Sequence, residues 1–226
     1  FVGKNEKFVD FVKGVAATVA SCAPADLDAL MECKYNGTDL TVTQQQQEMV
    51  LVIGENIKVR RFARFADGVS VPYIHAGGKI GVLVNLDVEG EVSDKVREIG
   101  KDMAMQIAAL NPRFWDKSFV TDDVLAEEKK IMLAQMDNDP KMASKPAQVK
   151  EKIVAGKLNK FYAENCLLQQ EFVRSDVFEG SVGGYVACAG EEVGGTVAFK
   201  DAVRFEKGEG IEKKQENFAE EIASMI

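Results

Sequence analysis

His75 is the only histidine in the chain, so an imidazole-based catalytic mechanism would have to start from it. A general base requires a group that orients it, and a nucleophile requires a base within reach. Neither lies near His75 in the sequence, and Ser70, Ser93 and Ser118 occupy no recognisable nucleophile elbow. We therefore predict no catalytic residue and no covalent chemistry. Two interpretations of His75 stay open: a ring that bonds a carbonyl of its own glycine-rich turn, or an exposed ring that a rigid hairpin presents to a partner.

The cysteines do not form a redox or zinc motif. They stand at Cys22, Cys33, Cys166 and Cys188, too far apart for a CxxC pair, and one histidine cannot complete a metal set. This spacing favours buried thiols in a reducing compartment. Neither GxGxxG nor the P-loop motif occurs in the chain. The sequence therefore predicts no metal, nucleotide or other cofactor.

Composition and charge limit the classes of partner. The 226 residues carry a formal net charge of -8, with an isoelectric point near 4.9. An acidic surface repels phosphate backbones, and no basic run exceeds two or three residues, so we predict no direct nucleic-acid contact. No apolar stretch reaches the roughly 18 residues of a membrane span, and the start shows no signal-peptide pattern. We predict no membrane contact. The start at Phe1, without methionine, is expected of a fragment.

Three helices are predicted in the first quarter of the chain. The first begins at an Asn5 cap, and its apolar residues recur at three- and four-residue spacing: Phe8, Phe11, Val12, Val15 and Val19. Pro24 ends this helix and opens a second, short one. A third helix covers 42–53, and Gly54 ends it in a left-handed cap.

A three-stranded sheet is predicted next. Residues 57–65, 69–74 and 80–88 read as sequential strands, with short turns at Asp67-Gly68 and at 75–78. Sequential strands joined by short turns form an antiparallel meander. A helix over 93–110 can cover this sheet with one apolar face, which carries Val96, Ile99, Met103 and Ile107.

The second half of the chain begins with two long helices, over 121–136 and 147–163. Each has a narrow apolar seam and charged flanks, which predicts a protruding helical hairpin. The glycine-rich residues 176–195 show little periodicity, and no helix is predicted there. A strand over 196–205 and a turn follow. A final helix from about residue 212 carries Phe218 on its apolar stripe.

One short repeat suggests that the chain contains two related subdomains. Residues 63–68 and 203–208 both read Arg-Phe-x-x-Gly at the end of a predicted strand. If the repeat is structural, Phe65 and Phe205 lie at equivalent ends of two superimposable sheets. The predicted class is therefore α+β, with small antiparallel sheets covered by helices, a protruding helical hairpin and a C-terminal helix.

Five segments carry a family resemblance. They are Phe1-Val2-Gly3-Lys4-Asn5 with Phe8, Ile53-Gly54-Glu55-Asn56-Ile57 with Arg60-Arg61, Tyr73-x-His75 with 78–84, residues 152–161, and residues 204–213. In this order they resemble the signature segments of elongation factor Ts. The resemblance implies two α+β subdomains, a protruding hairpin and a detachable last helix. It also implies that a ubiquitin-associated-like domain normally precedes Phe1, and that a leucine-rich helix is expected near 180–195, where this sequence lacks one.

The resemblance implies a partner and a set of contacts. The partner is elongation factor Tu, from which the family promotes the release of GDP. The residue matching Phe1 enters a pocket of the partner's G domain near its magnesium site. The residues matching Ile53, Gly54 and His75 touch the same domain, the second subdomain touches the third domain of the partner, and the last helix braces the G domain. The expected partner-binding residues are therefore Phe1, Val2, Ile53, Gly54, His75 and Phe218.

These inferences predict a nucleotide exchange factor rather than an enzyme, located in the cytoplasm, with an organellar origin and homodimerisation left open. The alternative function is a module that binds a GTPase or another protein without driving exchange. The predicted division has four parts: a first core subdomain (1–118), a helical hairpin (119–165), the remainder of a second core subdomain (166–210) and a C-terminal helix (211–226).

Overall fold

The computed structural model describes residues 2–211, and the chain divides into two units between Asp67 and Gly68. The helices are α1 (Glu6–Cys22), α2 (Leu27–Glu32), α3 (Val42–Ile53), α4 (Asp94–Leu110), α5 (Asp122–Asn138), α6 (Pro140–Ala143), α7 (Ala147–Asn165) and α8 (Val182–Glu192). The strands are β1 (Val69–His75), β2 (Ile80–Glu89) and β3 (Thr196–Glu206). The predicted α+β class is confirmed. The predicted last helix, with Phe218, and the side chain of Phe1 lie outside the described residues. The four-part division stays a prediction.

The first unit contains α1, α2 and α3, which begin and end at local signals. Asn5 caps α1 by accepting a hydrogen bond from the Lys7 amide at 3.0 Å, as predicted. Thr41 opens α3 with a reciprocal capping box. The short second helix begins at Leu27 under an Asp26 cap, and not at Pro24 as predicted. The unit buries seven apolar side chains: Phe11, Val15, Val19, Leu30, Val42, Met49 and Ile57.

The strand predicted over 57–65 is wrong, because this segment has no regular secondary structure and pairs with no strand among the described residues. The adjacent Arg60 and Arg61 break the alternation that a half-buried strand requires. The amide of Val59 donates to the side-chain oxygen of Gln46 at 2.8 Å instead of to a ladder partner. Side chains of this segment pack on the core of the first unit.

The prediction that all four cysteines are thiols is also wrong. Cys22 and Cys33 form a disulfide between the end of α1 and the residue after α2. Ala23 takes a left-handed conformation at φ 50, and the turn that follows leads into α2. Two positions that are 11 residues apart in the sequence thereby become neighbours. Cys166, which is buried, and Cys188, which is exposed, are free thiols.

The second unit is built on one antiparallel sheet in the order β1-β2-β3. The hairpin of β1 and β2 is as predicted, but the third strand is β3, from the end of the described chain. Phe205 lies on β3 opposite Gly81, whereas Phe65 lies on no strand. The prediction that these two phenylalanines end equivalent strands of two sheets is therefore wrong. The described residues contain a single sheet.

Helix α4 covers this sheet with the face predicted from the sequence. Its four predicted apolar residues are all buried. Gly100 allows α4 to approach the sheet closely, because a Cβ at that position would lie 2.6 Å from a methyl carbon of Val71. The main core of the unit lies between the sheet, α4 and α8.

The helix α8 occupies the glycine-rich stretch for which no helix was predicted. Ser181 caps it by accepting a hydrogen bond from the Gly184 amide at 3.1 Å. Buried apolar residues then recur at helical spacing: Val182, Tyr185, Val186 and Ala189. Gly183 and Gly190 face backbone atoms of neighbouring segments, where a Cβ would come within 3.0 Å. Close packing therefore outweighs the low helix propensity of glycine. Sequence periodicity alone does not reveal this packing.

The two long helices predicted as a hairpin are α5 and α7, joined through the short α6. Lys150 on α7 forms an ion pair with Asp137 on α5 at 2.6 Å. At the other end of the pair, Phe161 is buried, and the guanidinium of Arg113 lies 5.7 Å from the centre of its ring. Among residues 2–211, no helix combines the length and the apolar character needed to cross a membrane.

Candidate partner-binding site

The N-terminal candidate, Val2, lies in a 3₁₀ turn that leads into α1. Its carbonyl accepts a hydrogen bond from the amide of Asn5 at 2.9 Å. The Val2 side chain is half-buried and packs against the core of the first unit. Val2 therefore holds the start of the described chain against α1. The side chain of Phe1, the preceding residue, is not described.

The second candidate pair lies at the C-terminal end of α3. Gly54 takes a left-handed conformation at φ 77, and its amide donates to the Val50 carbonyl at 2.8 Å. A Cβ at Gly54 would meet no atom within 4 Å, so the dihedral angle and not space requires glycine there. Ile53 is half-buried and packs against the same core as Val2. The structure thus brings Val2 and Ile53 onto one core.

Two apolar residues that were not predicted as contacts stand beside this pair. Leu51 is 83% exposed and Val52 is 57% exposed. Together with Ile53 and Gly54 they form what we call the apolar end of α3. Exposed apolar side chains that adjoin one another indicate a binding surface more strongly than isolated ones do. The sequence signal was the apolar run from Met49 to Ile53, which is longer than one buried helix face requires.

The third candidate, His75, is the last residue of β1 in the second unit and pairs with Ile80. The turn that follows has positive φ at Ala76, Gly77 and Gly78, and the His75 carbonyl accepts from the Lys79 amide at 3.1 Å. A tight turn between paired strands fixes the backbone at this position. The His75 side chain is exposed.

The ring of His75 is oriented by its own strand. The Tyr73 hydroxyl lies 3.0 Å from Nδ1 of His75, two residues away on the same face of β1. This contact leaves Nε2 as the ring nitrogen for a group outside the pair. The structure therefore favours the interpretation of His75 as an exposed, oriented ring. Its neighbour Ile74, on the opposite face of the strand, is 67% exposed.

The free thiols do not form a nucleophilic site with His75. Burial, with a smaller contribution from the charge of Asp116, raises the pKa of the Cys166 thiol, which disfavours the reactive thiolate. The described hydrogen bond of the His75 ring is made with a tyrosine hydroxyl, which is neither a carboxylate nor a thiol. Within residues 2–211, no cluster of three or more histidine, cysteine and carboxylate side chains could hold a metal ion.

The comparison with known proteins decides the family. The family model described as elongation factor TS matches residues 1–209. The chain is 42% identical to elongation factor Ts of Syntrophotalea carbinolica over 100% of its own length and 73% of that protein. It is 41% identical to elongation factor Ts of Clostridium kluyveri over 100% of its length and 72% of that protein. This chain belongs to the elongation factor Ts family.

The match to the elongation factor Ts family model includes most of the residues that were predicted to contact the partner. The matched residues include Phe1, Val2, Ile53, Gly54 and His75. Phe218 lies beyond residue 209, the end of the match to the family model. The alignment with elongation factor Ts of Clostridium tetani, 41% identical, covers 100% of the chain and 73% of that protein. The roles of the individual residues stay predictions.

Proposed function

We propose that this chain is a guanine-nucleotide exchange factor that promotes GDP release from elongation factor Tu during translation elongation in the cytoplasm. Its membership of the elongation factor Ts family supports the reaction and the partner. The observation that carries the proposal is the exposed apolar end of α3, where Leu51 is 83% exposed beside the left-handed Gly54. A protein–protein contact would remove these side chains from water.

The energetics of exchange require a broad contact. Coupling is reciprocal, so a chain that weakens GDP binding is itself displaced by GDP to the same extent. A thousandfold weakening corresponds to about 4 kcal/mol. Burying one phenylalanine such as Phe1 contributes roughly 1.5–3 kcal/mol. One inserted side chain is therefore insufficient, and contacts from both units must add to it.

We assign the contacts as follows. Phe1 and His75 act near the magnesium and phosphate site of the partner's G domain, and Val2 positions Phe1 because it anchors the turn to the core. Ile53 and Gly54 contact the same domain together with Leu51 and Val52. Phe218, on the last helix predicted from the sequence, braces that domain. The protein forms or breaks no covalent bond in this process.

The apolar end of α3 can be tested by substitution. Leu51→Ser/Val52→Ser should weaken the complex with elongation factor Tu by about tenfold or more, because interface truncations of this kind remove about 1–3 kcal/mol. A matched control is Val149→Ser on α7, which is 40% exposed and lies outside the proposed contact. The measurement is the dependence of fluorescent-GDP release on the concentration of the chain. Equal curves for the two variants would contradict the assignment.

His75 and Phe1 can be tested at saturating concentration. His75→Ala and Phe1→Ala should each slow the maximal rate of GDP release. In the proposal, the two native side chains act near the magnesium and phosphate site of the partner's G domain. Each should change the free energy of unfolding by less than about 1 kcal/mol, because His75 is exposed and Phe1 is predicted to be. A wild-type release rate for His75→Ala would make His75 an ordinary turn residue. A strong loss of stability for Phe1→Ala with unchanged release would make Phe1 a core residue.

A further inference from the structure

One short segment of this acidic protein carries several positive charges and no negative one. Residues 58–64, which we call the basic segment, carry Lys58, Arg60, Arg61 and Arg64 and no acidic residue. All four of these side chains are exposed. Removing their charge from the total of -8 leaves -12 for the rest of the chain. The basic segment is therefore a local reversal of the surface charge.

The backbone of the basic segment is held on the core of the first unit. Ile57, directly before it, is 8% exposed, and Val59 and Phe62 pack against the same core. The amide of Val59 donates to the Gln46 side chain at 2.8 Å. The apolar side chains anchor the segment while the cationic ones face solvent. A surface that is already ordered loses less entropy when it binds a partner.

The arginines of the basic segment line a groove of about 420 Å³ in the first unit. Its other wall is the turn between α1 and α2, over Pro24–Leu27. Among the described residues of the lining the acidic one is Asp26, and one oxygen of its carboxylate accepts a hydrogen bond from the Ala29 amide at 2.8 Å. The described lining therefore presents three arginine side chains and one carboxylate.

This chemistry suits carboxylates presented by a protein. The planar guanidinium of arginine binds a carboxylate through two parallel hydrogen bonds. A long nucleic acid would extend past the basic segment onto a surface that repels it, whereas a patch of a few carboxylates would not. Lys58 lies four positions after Gly54, so their Cα atoms lie within about 14 Å. A partner that covers the apolar end of α3 therefore reaches the basic segment.

We propose that the basic segment docks an acidic patch on the same GTPase and accelerates its association with this chain. The inference rests on the exchange function proposed above and adds a second contact to it. Charges at the rim of an interface act mainly on the association rate, and salt weakens their effect. The basic segment therefore speeds formation of the complex and leaves the rate of GDP release within the complex unchanged.

The test compares three variants of the full chain in stopped-flow association with elongation factor Tu. Neutralising Arg60→Gln/Arg61→Gln/Arg64→Gln should lower the association rate constant about tenfold at low salt, and high salt should remove the difference. The conservative Arg60→Lys/Arg61→Lys/Arg64→Lys should restore most of the rate. The matched control, Lys129→Gln/Lys130→Gln/Lys141→Gln, removes the same charge from exposed positions on α5 and α6. It should change the rate less than twofold. Equal unfolding curves exclude misfolding as the cause.

The outcomes separate this inference from the exchange function. If every variant exchanges nucleotide normally and the arginine substitutions do not change the association rate, the docking inference alone is overturned. Salt-dependent association without accelerated GDP release overturns the exchange function alone. Absence of association overturns both. Binding of a labelled single-stranded RNA to the wild-type chain but not to the glutamine variant would identify a nucleic acid as the ligand of the basic segment. That result would overturn the proposal of an acidic protein patch.

Discussion

Different interactions stabilise the interior of each unit, the one up to Asp67 and the one from Gly68 onward. The first has seven buried apolar residues in its core, and local ties add to them. The Cys22–Cys33 disulfide is one such tie, and the Tyr35 ring stacked on Phe11 at 5.9 Å is another. The Asn36 amide also donates to the Thr18 hydroxyl at 2.9 Å. These contacts fasten the loop after α2 to α1.

The second unit combines a larger core with a buried polar network. Asp102 on α4 is 2% exposed, and it accepts hydrogen bonds from the Tyr185 hydroxyl at 2.6 Å and from Arg174 at 3.1 Å. Gln106, also buried, donates to the side chain of Gln170 at 3.1 Å. Satisfied buried networks of this kind rigidify a core and select one packing arrangement. The sheet that carries the His75 hairpin rests on this core.

This contrast implies that different substitutions destabilise the two units, and the two can be followed separately. Trp115 is the single tryptophan of the chain and lies in the second unit. Its indole N–H donates to Asp201 at 2.9 Å, and its ring packs edge-on against Phe199. Tryptophan fluorescence therefore reports the second unit, whereas far-ultraviolet circular dichroism reports the helices of both.

The largest effect is expected at Asp102. Asp102→Ala should destabilise the second unit by about 3–5 kcal/mol, because removing one partner of a buried charged network leaves the others unsatisfied. Burial, assisted by the bond to Asp102, raises the pKa of Tyr185, so its hydroxyl stays a donor that needs an acceptor. The measurement is urea unfolding followed by Trp115 fluorescence. The control is Asp87→Ala, whose exposed ion pair with Lys200 contributes about 1 kcal/mol or less. Equal midpoints for the two variants would refute the importance of the network.

A smaller effect is expected from opening the disulfide. The double substitution Cys22→Ser/Cys33→Ser should destabilise the first unit by about 2–4 kcal/mol. Without the disulfide, the unfolded chain regains the conformational freedom that the closed loop had removed. The contribution of the first unit to the circular dichroism transition should move to a lower urea concentration, while the Trp115 transition stays in place. Titration of the unfolded, unreduced protein should find two thiols, those of Cys166 and Cys188. Four reactive thiols would show that the disulfide is absent.

Two helical glycines give a matched pair with opposite signs. In α1, a Cβ at Gly14 would overlap the Tyr35 ring, so Gly14→Ala should destabilise the first unit by about 1–3 kcal/mol. In α7, a Cβ at Gly156 would meet no atom within 4 Å, so Gly156→Ala should stabilise the helix by about 0.5–1 kcal/mol. Thermal unfolding of the two variants checks both signs. Stabilisation by both substitutions would mean that helix propensity outweighs the Tyr35 contact.

The smallest effect concerns pH and Asp116. Hydrogen bonds from Ser118, and then from Gln169, lower the pKa of Asp116 to about 2. The folded pKa therefore lies below the unfolded value of about 3.9, so this carboxylate stabilises the fold above about pH 4 and stops doing so as the pH falls towards 2. Because the group is only partly buried and solvent screens it, the contribution should be about 1 kcal/mol or less. Trp115 fluorescence should show that Asp116→Asn is less stable than wild type near neutral pH and equal to it near pH 2. A pH-independent difference would contradict this.

Local signals predicted much of the fold. The Asn5 cap, the left-handed Gly54 and the apolar face of α4 each depend on residues within a few positions of one another. The neighbours in the sheet could not be obtained in this way. Thr196–Glu206 has the pattern of a strand, but its pairing with β2 spans more than a hundred residues. The disulfide depends on tertiary contacts that bring Cys22 close to Cys33. Helix α8 depends on close packing that leaves no space for a side chain at Gly183 and Gly190.

The candidate site shows the same division between local and tertiary information. The sequence placed Ile53 and Gly54 at the end of a helix, as the structure does, and it placed His75 in the turn, whereas the structure makes His75 the last residue of β1. The exposure of Leu51 and Val52 depends on which face of α3 the core of the first unit takes. Periodicity over twelve residues cannot determine that face when apolar residues continue around the helix.

The central claim is tested most directly by stopped-flow release of fluorescent GDP from elongation factor Tu, with and without a saturating amount of this chain. The chain should increase the release rate by orders of magnitude, about a thousandfold if the coupling reaches about 4 kcal/mol. Excess unlabelled GDP should in turn dissociate the chain from elongation factor Tu. A chain that binds elongation factor Tu while the release rate stays at its spontaneous value would contradict the account and identify a binding module without exchange activity.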